Sequence, residues 1–164
     1  MGSSWTRFLV FFALLCSLYL LQAYVEFLEF DRQQILTGEV WRIWTGHLVH
    51  TNTAHLSLNL VALLIIYVVF FTGVNVSELF FCTFIFMSLI SLTLLWIYPS
   101  LVWYNGLSGL LHALVAYFSM GLARDGKKIF LAALVIVWGK VLFEMMRVYY
   151  GYESLSGGMR VITE

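Results

Sequence analysis

Apolar residues run along this chain in blocks of bilayer length, and the polar residues gather between the blocks. No charged residue occurs from Leu79 to Ala123. A helix of about 20 apolar residues crosses a hydrocarbon core. By that length the pattern predicts five spans: Phe8 to Phe27, Thr53 to Thr72, Leu79 to Tyr98, Leu107 to Ala123 and Ile129 to Tyr149. The links are short except Glu29 to Asn52, whose Trp41, Trp44 and two arginines predict an amphipathic segment lying at the interface. No repeat, low-complexity tract or linker interrupts the chain, so residues 1–164 are expected to form one polytopic, all-α membrane domain.

Composition agrees with the pattern. The chain is 62% hydrophobic and 11% charged, which puts it with membrane proteins. Nine basic residues balance nine acidic ones, which excludes a basic nucleic-acid surface and an acidic tail for cationic partners. Cys16 and Cys82 both fall in apolar runs, as buried thiols do, and supply no disulfide framework. No small-residue cleavage site follows the first block, which is expected to be a retained span. Arg7 and the turn Arg124-Asp125-Gly126-Lys127-Lys128 belong in the cytoplasm by the positive-inside rule, and four crossings separate them. The heads of the second and fourth spans then open on the opposite side.

Polar groups inside the hydrocarbon are expensive and therefore mark candidate chemistry. Three sets stand out: His55 with Asn59, Ser108 with His112, and Lys140 with Glu144, each spaced i, i+4 so that both side chains share a helical face. Each has a plain structural alternative. Asn59 can join helices through its amide. His47 and His50 lie near the interface, where solvation or capping serves them. Lys140 and Glu144 are favoured as a structural pair, or Lys140 snorkels. A glycine-flanked serine such as Gly106-Leu107-Ser108-Gly109 also packs helices closely. Taken together the sets are more specific, because the expected topology brings Ser108, His55 and Asn59 to one water-accessible cavity. A serine nucleophile needs a base and donors aimed at the oxyanion, and the Asn59 amide, the His55 ring and the Ser108 backbone N–H are candidate donors. A rival reading makes the four histidines metal or haem ligands, but no carboxylate or cysteine accompanies them.

The series Trp41-Arg42, His50, His55-Leu56-Ser57-Leu58-Asn59 and Gly106-Leu107-Ser108-Gly109 resembles the rhomboid family of intramembrane serine proteases. The likeness covers residues from about 38 to 123. The run from Trp41 to Leu60 and the histidine four residues after the serine look most like the rhombosortase branch, which processes GlyGly-CTERM sorting tails. The resemblance implies Ser108 as nucleophile. It implies His55, Asn59 and the Ser108 N–H as the oxyanion site, with His50 organising the first loop. His112 takes a position where many rhomboids place an aromatic ring. Gly106 and Gly109 let the backbone turn tightly around the serine.

Rhomboid proteases draw their general base from a histidine in a sixth span. Here no histidine follows His112, and residues after Gly157-Gly158-Met159-Arg160 end at Glu164. Five helices of an expected six are present, and a chain cut before the sixth is favoured over a relative that has lost its base. His112 is a poor substitute, because a same-helix pair i, i+4 rarely brings ring nitrogen and hydroxyl within the 2.6–3.2 Å that proton transfer needs. The implied activity is acyl-enzyme hydrolysis of a transmembrane protein substrate, in a bacterial inner membrane with the active site toward the periplasm, using no metal or organic cofactor. A non-catalytic protein that binds transmembrane helices is the rival. Substrate identity and oligomeric state are not encoded in any motif of the chain.

Overall fold

The computed structural model describes residues 4–70, 74–149 and 159–161. The apolar blocks form helices: α1 (Ser4–Leu21), α5 (Thr53–Phe70), α6 (Val76–Ile97), α7 (Ser108–Arg124) and α8 (Phe130–Tyr149). The first block is interrupted after Leu21, where a 3-10 turn (Gln22–Tyr24) leads into the short α2 (Val25–Leu28). α6 begins three residues before the expected start, because the Asn75 carboxamide accepts the Ser77 N–H at 2.9 Å. Hydropathy places a span where apolar residues begin, whereas the backbone begins it where its orphan N–H groups are capped. Among the described residues Phe11–Leu28, Thr53–Phe70 and Val76–Ile97 are long and apolar enough to cross a membrane.

α7, at 17 residues, is shorter than those three. It is the central helix, packed against α5, α6 and α8, and it meets neighbouring helices where the others meet lipid. Leu110, Leu111, Leu114 and Phe118 are buried against Leu63 and Ile66 of α5 and Met87 of α6. Large apolar side chains point outward instead, among them Phe80 at 70% exposure and Trp96 at 72%. An apolar exterior of this extent is a lipid-facing surface. Cys82 is buried in the bundle as expected, whereas Cys16 is exposed on the outer face of α1. α5 and α8 flank α7 and barely touch each other.

Residues 29–52, expected as an amphipathic segment, are divided among several short elements. They fold into β1 (Phe30–Asp31), α3 (Arg32–Leu36), α4 (Arg42–Thr45) and a loop. β1 pairs antiparallel with β2 (Leu101–Tyr104), which pairs antiparallel with β3 (Met159–Val161). The segment buries Phe30 and Ile35 against Leu95, Leu101 and Tyr104, so it has a core of its own. Arg42 is buried as well. Its Nε donates to Glu39 at 2.6 Å, and its Nη1 donates to the Glu26 and Glu29 carbonyls at 3.0 and 2.9 Å. A buried cation with three acceptors is satisfied, and it pins the segment to the end of α2.

Candidate active site

The loop at residues 46–52 and the turn before α7 are tied together by the backbone. The Gly106 N–H donates to the Gly46 carbonyl at 3.1 Å. Both glycines are required by contact. A Cβ on Gly46 would lie 2.6 Å from the Phe30 nitrogen, and one on Gly106 would lie 2.6 Å from Cε1 of His55. Gly106 also has φ +112°, a region that favours glycine. The Gly106 backbone thus lies directly on the His55 ring. Gly109 has a different neighbour, since its Cβ would stand 3.0 Å from the Tyr104 hydroxyl.

His55 and Asn59 sit on one face of α5, whose first turn is capped by Asn52 accepting the His55 N–H at 2.8 Å. The Asn59 Nδ2 donates to the His55 carbonyl at 3.1 Å and keeps a second N–H for another acceptor. The His50 and His55 rings meet edge to face with centroids 5.0 Å apart. Both His55 ring nitrogens are buried without a hydrogen-bond partner among the described residues. His50 is anchored twice: its N–H donates to Gln22 Oε1 at 2.8 Å, and its Nε2 accepts a long bond from the Leu107 N–H at 3.5 Å. Burial first, and the neighbouring His55 second, hold its pKa down to about 4, so the ring is neutral.

Ser108, at the first turn of α7, shares a cavity of about 370 Å³ with His55, Asn59, His112 and Lys140. The rest of its wall is apolar: Leu58, Ala62, Ile66, Leu111, Val115 and Val137. α7 has 17 residues, hence a length of about 26 Å, less than a hydrocarbon core of about 30 Å. The chain folds this way locally because β2 delivers Tyr104 and Asn105 straight into the Gly106 turn, and the helix starts as soon as the turn is made.

The rhomboid domain family model matches residues 37–157. The chain belongs to the rhomboid family. No curated protein and no solved structure gives a match. The match takes in this rhomboid's first loop from residue 37 onward, the cavity and α8, and it leaves α1, α2, β1 and α3 outside.

Of the residues singled out in the sequence, Ser108, His55, Asn59 and His112 line one cavity, and His50 and Gly106 pack against its His55 wall. The His112 Nδ1 hydrogen-bonds to the Ser108 backbone carbonyl. His47 is not solvated at the interface. It is fully buried, with Nε2 at 3.0 Å from Ser91 Oγ and 3.2 Å from the Met87 carbonyl, and burial lowers its pKa to about 4. Lys140 lines the cavity, and the Glu144 side chain and Gly157-Gly158 lie outside the described residues. Sequence reasoning passed over Tyr104, whose hydroxyl donates to the Gly106 carbonyl at 3.0 Å and lies 3.5 Å from His47 Nδ1. Burial raises the pKa of that hydroxyl and keeps it a donor. It also passed over Gln22, which a lone amide in an apolar run would have signalled.

Proposed function

We propose that this rhomboid is an intramembrane serine endopeptidase, of the rhombosortase branch, hydrolysing a peptide bond in or near the transmembrane segment of a membrane-anchored substrate. One observation carries the reading. The cavity joins Ser108 to a His55 ring whose two buried nitrogens have no partner among the described residues. A buried polar group left unpaired costs about 1–3 kcal/mol, a cost that a site bears when a ligand completes it.

In this reading Ser108 Oγ attacks the scissile carbonyl carbon. The C=O electron pair moves onto oxygen, and the Oγ proton passes to an imidazole base, which the family supplies from a sixth span. The free N–H of Asn59, the His55 ring and the Ser108 backbone N–H donate to the oxyanion. Collapse expels the amine with that proton, and water hydrolyses the acyl-enzyme. The gap between α5 and α8 suits a substrate helix approaching from the lipid, because the two helices meet through Phe70 and Phe130, at the end of α5 away from His55. The segment must unwind to present a carbonyl, and each glycine in it lowers that cost by about 1 kcal/mol relative to alanine. GlyGly-CTERM tails have this character. Arg7 and the basic turn at residues 124–128, read by the positive-inside rule, support a cavity mouth opposite the cytoplasm, which in a bacterial inner membrane is the periplasmic side.

The test is cleavage of a tail-bearing transmembrane substrate by the full-length gene product in vesicles, with Ser108→Ala as comparison. The reading expects Ser108→Ala to leave background cleavage only, and equal rates end it. A non-catalytic role in holding transmembrane helices draws on another observation: His112, the histidine of α7, turns its Nδ1 to the Ser108 backbone carbonyl. Substrate retention without cleavage that depends on Ser108 supports that role.

A further inference from the structure

One wall of the cavity is used neither by the proposed chemistry nor by the rhomboid motifs. α8 reaches the cavity through Val137 and Lys140, spaced i, i+3 and so on one face. Lys140 is the only lysine or arginine among the lining residues, and its remaining neighbours there are mostly apolar. It has no salt-bridge partner among the described residues. The Glu144 side chain, expected from spacing as its partner, lies outside the described residues, and the cavity gives the cation a second setting. Lys140 shares that cavity with His55, the ring against the Gly106 turn.

We propose that Lys140 is an electrostatic catalytic residue, whose ammonium reaches from α8 to stabilise the oxyanion formed when Ser108 attacks the substrate carbonyl. The inference rests on the serine-protease reading and adds a donor to it. In the step concerned the Oγ–C bond forms, the carbonyl π pair becomes the oxyanion, and the serine proton goes to the imidazole base. Lys140 gains and loses no proton. A cation in low-dielectric surroundings acts strongly on a charge that appears only in the transition state. The Lys140 side chain is exposed, and the cavity wall it shares is mostly apolar.

Two measurements on the full-length protein test this. In the vesicle cleavage assay Lys140→Met lowers kcat about 10–100-fold with KM within about twofold, and Lys140→Arg restores most of the rate. An unchanged kcat, a loss confined to KM, or a Lys140→Arg variant as slow as Lys140→Met overturns the proposal. The second measurement needs no protease activity. With Ser108→Cys as background, alkylation at neutral pH reports the field at position 108, because the thiolate is the reacting form. Adding Lys140→Met slows alkylation about 5–10-fold, while adding Lys140→Arg does not. Equal rates in all three overturn the role of Lys140. If cleavage proves independent of Ser108 while alkylation still follows the charge at 140, the protease reading fails and the cation in the cavity stands.

Discussion

Gly106→Ala separates two costs that one glycine conceals. The first is conformational. Gly106 has φ +112°, and a non-glycine residue held in such a region costs about 1–3 kcal/mol. The second is contact. The new Cβ would stand 2.6 Å from His55 Cε1 and 2.9 Å from its Nε2. Ordinary contact begins at 3.4 Å, so the shortfall is 3.4 − 2.6 = 0.8 Å, and either the ring or the serine turn must move by that much. Overpacking of this kind costs about 1–3 kcal/mol. Gly126, in the turn between α7 and α8, supplies the control: its φ is +86° and nothing lies within 4 Å of its Cβ position. Gly126→Ala therefore carries the conformational cost alone, and Gly106→Ala carries both. With about 2–4 °C of Tm per kcal/mol for a chain of this size, Gly126→Ala lowers Tm by about 2–12 °C and Gly106→Ala by several degrees more. A shift of about 1 Å at a reacting site costs about 100-fold in rate, so kcat/KM in the vesicle assay falls by about that factor for Gly106→Ala and stays near wild type for Gly126→Ala. Thermal unfolding in detergent and the cleavage assay read the two effects independently. Equal Tm losses in the two variants would refute the contact argument even if neither protein cleaves.

Tyr104→Phe removes the hydroxyl that donates to the buried Gly106 carbonyl, and unfolding should show a loss of about 1–3 kcal/mol, since a buried acceptor is left unpaired. Arg42→Met leaves Glu39 and two backbone carbonyls without their buried donor, and a destabilisation of about 3–5 kcal/mol is expected, with Arg42→Lys recovering only part because one ammonium cannot span all three acceptors. Stability should also fall in acid. His47 and His50 bind a proton near pH 4 when folded and near 6.5 when unfolded, so the unfolded chain takes up more protons between those values. Their contribution is complete above pH 6.5 and is lost as pH falls toward 4, and a Tm that stays level across that window would contradict the burial of these rings.

Spans, membrane class and the candidate residues were legible in the sequence because each is a one-dimensional quantity: a run length, a composition, or a spacing of i, i+4. His55 with Asn59 and Ser108 with His112 needed only the helical repeat. Ends were less legible, as α6 shows, because a cap depends on one side chain bonding one backbone group. The fold of residues 29–52 was hidden for a stronger reason. β1 is two residues long, and its partner β2 is some 70 residues away, so neither has a periodicity to detect until they pair. His47 looked like an interfacial residue until Ser91 and the Met87 carbonyl, on α6, closed around it.

Lys140 and Gly106 show where the division falls. The sequence determined that a lysine stands in an apolar helix and that a glycine precedes the serine, since both follow from residue identity along the chain. Only the tertiary structure decided that the lysine opens into the serine's cavity and that the glycine is pressed against His55. Those facts depend on how α5, α7 and α8 are packed around one another, and helix packing is set by side-chain contacts between segments that no spacing within a segment records.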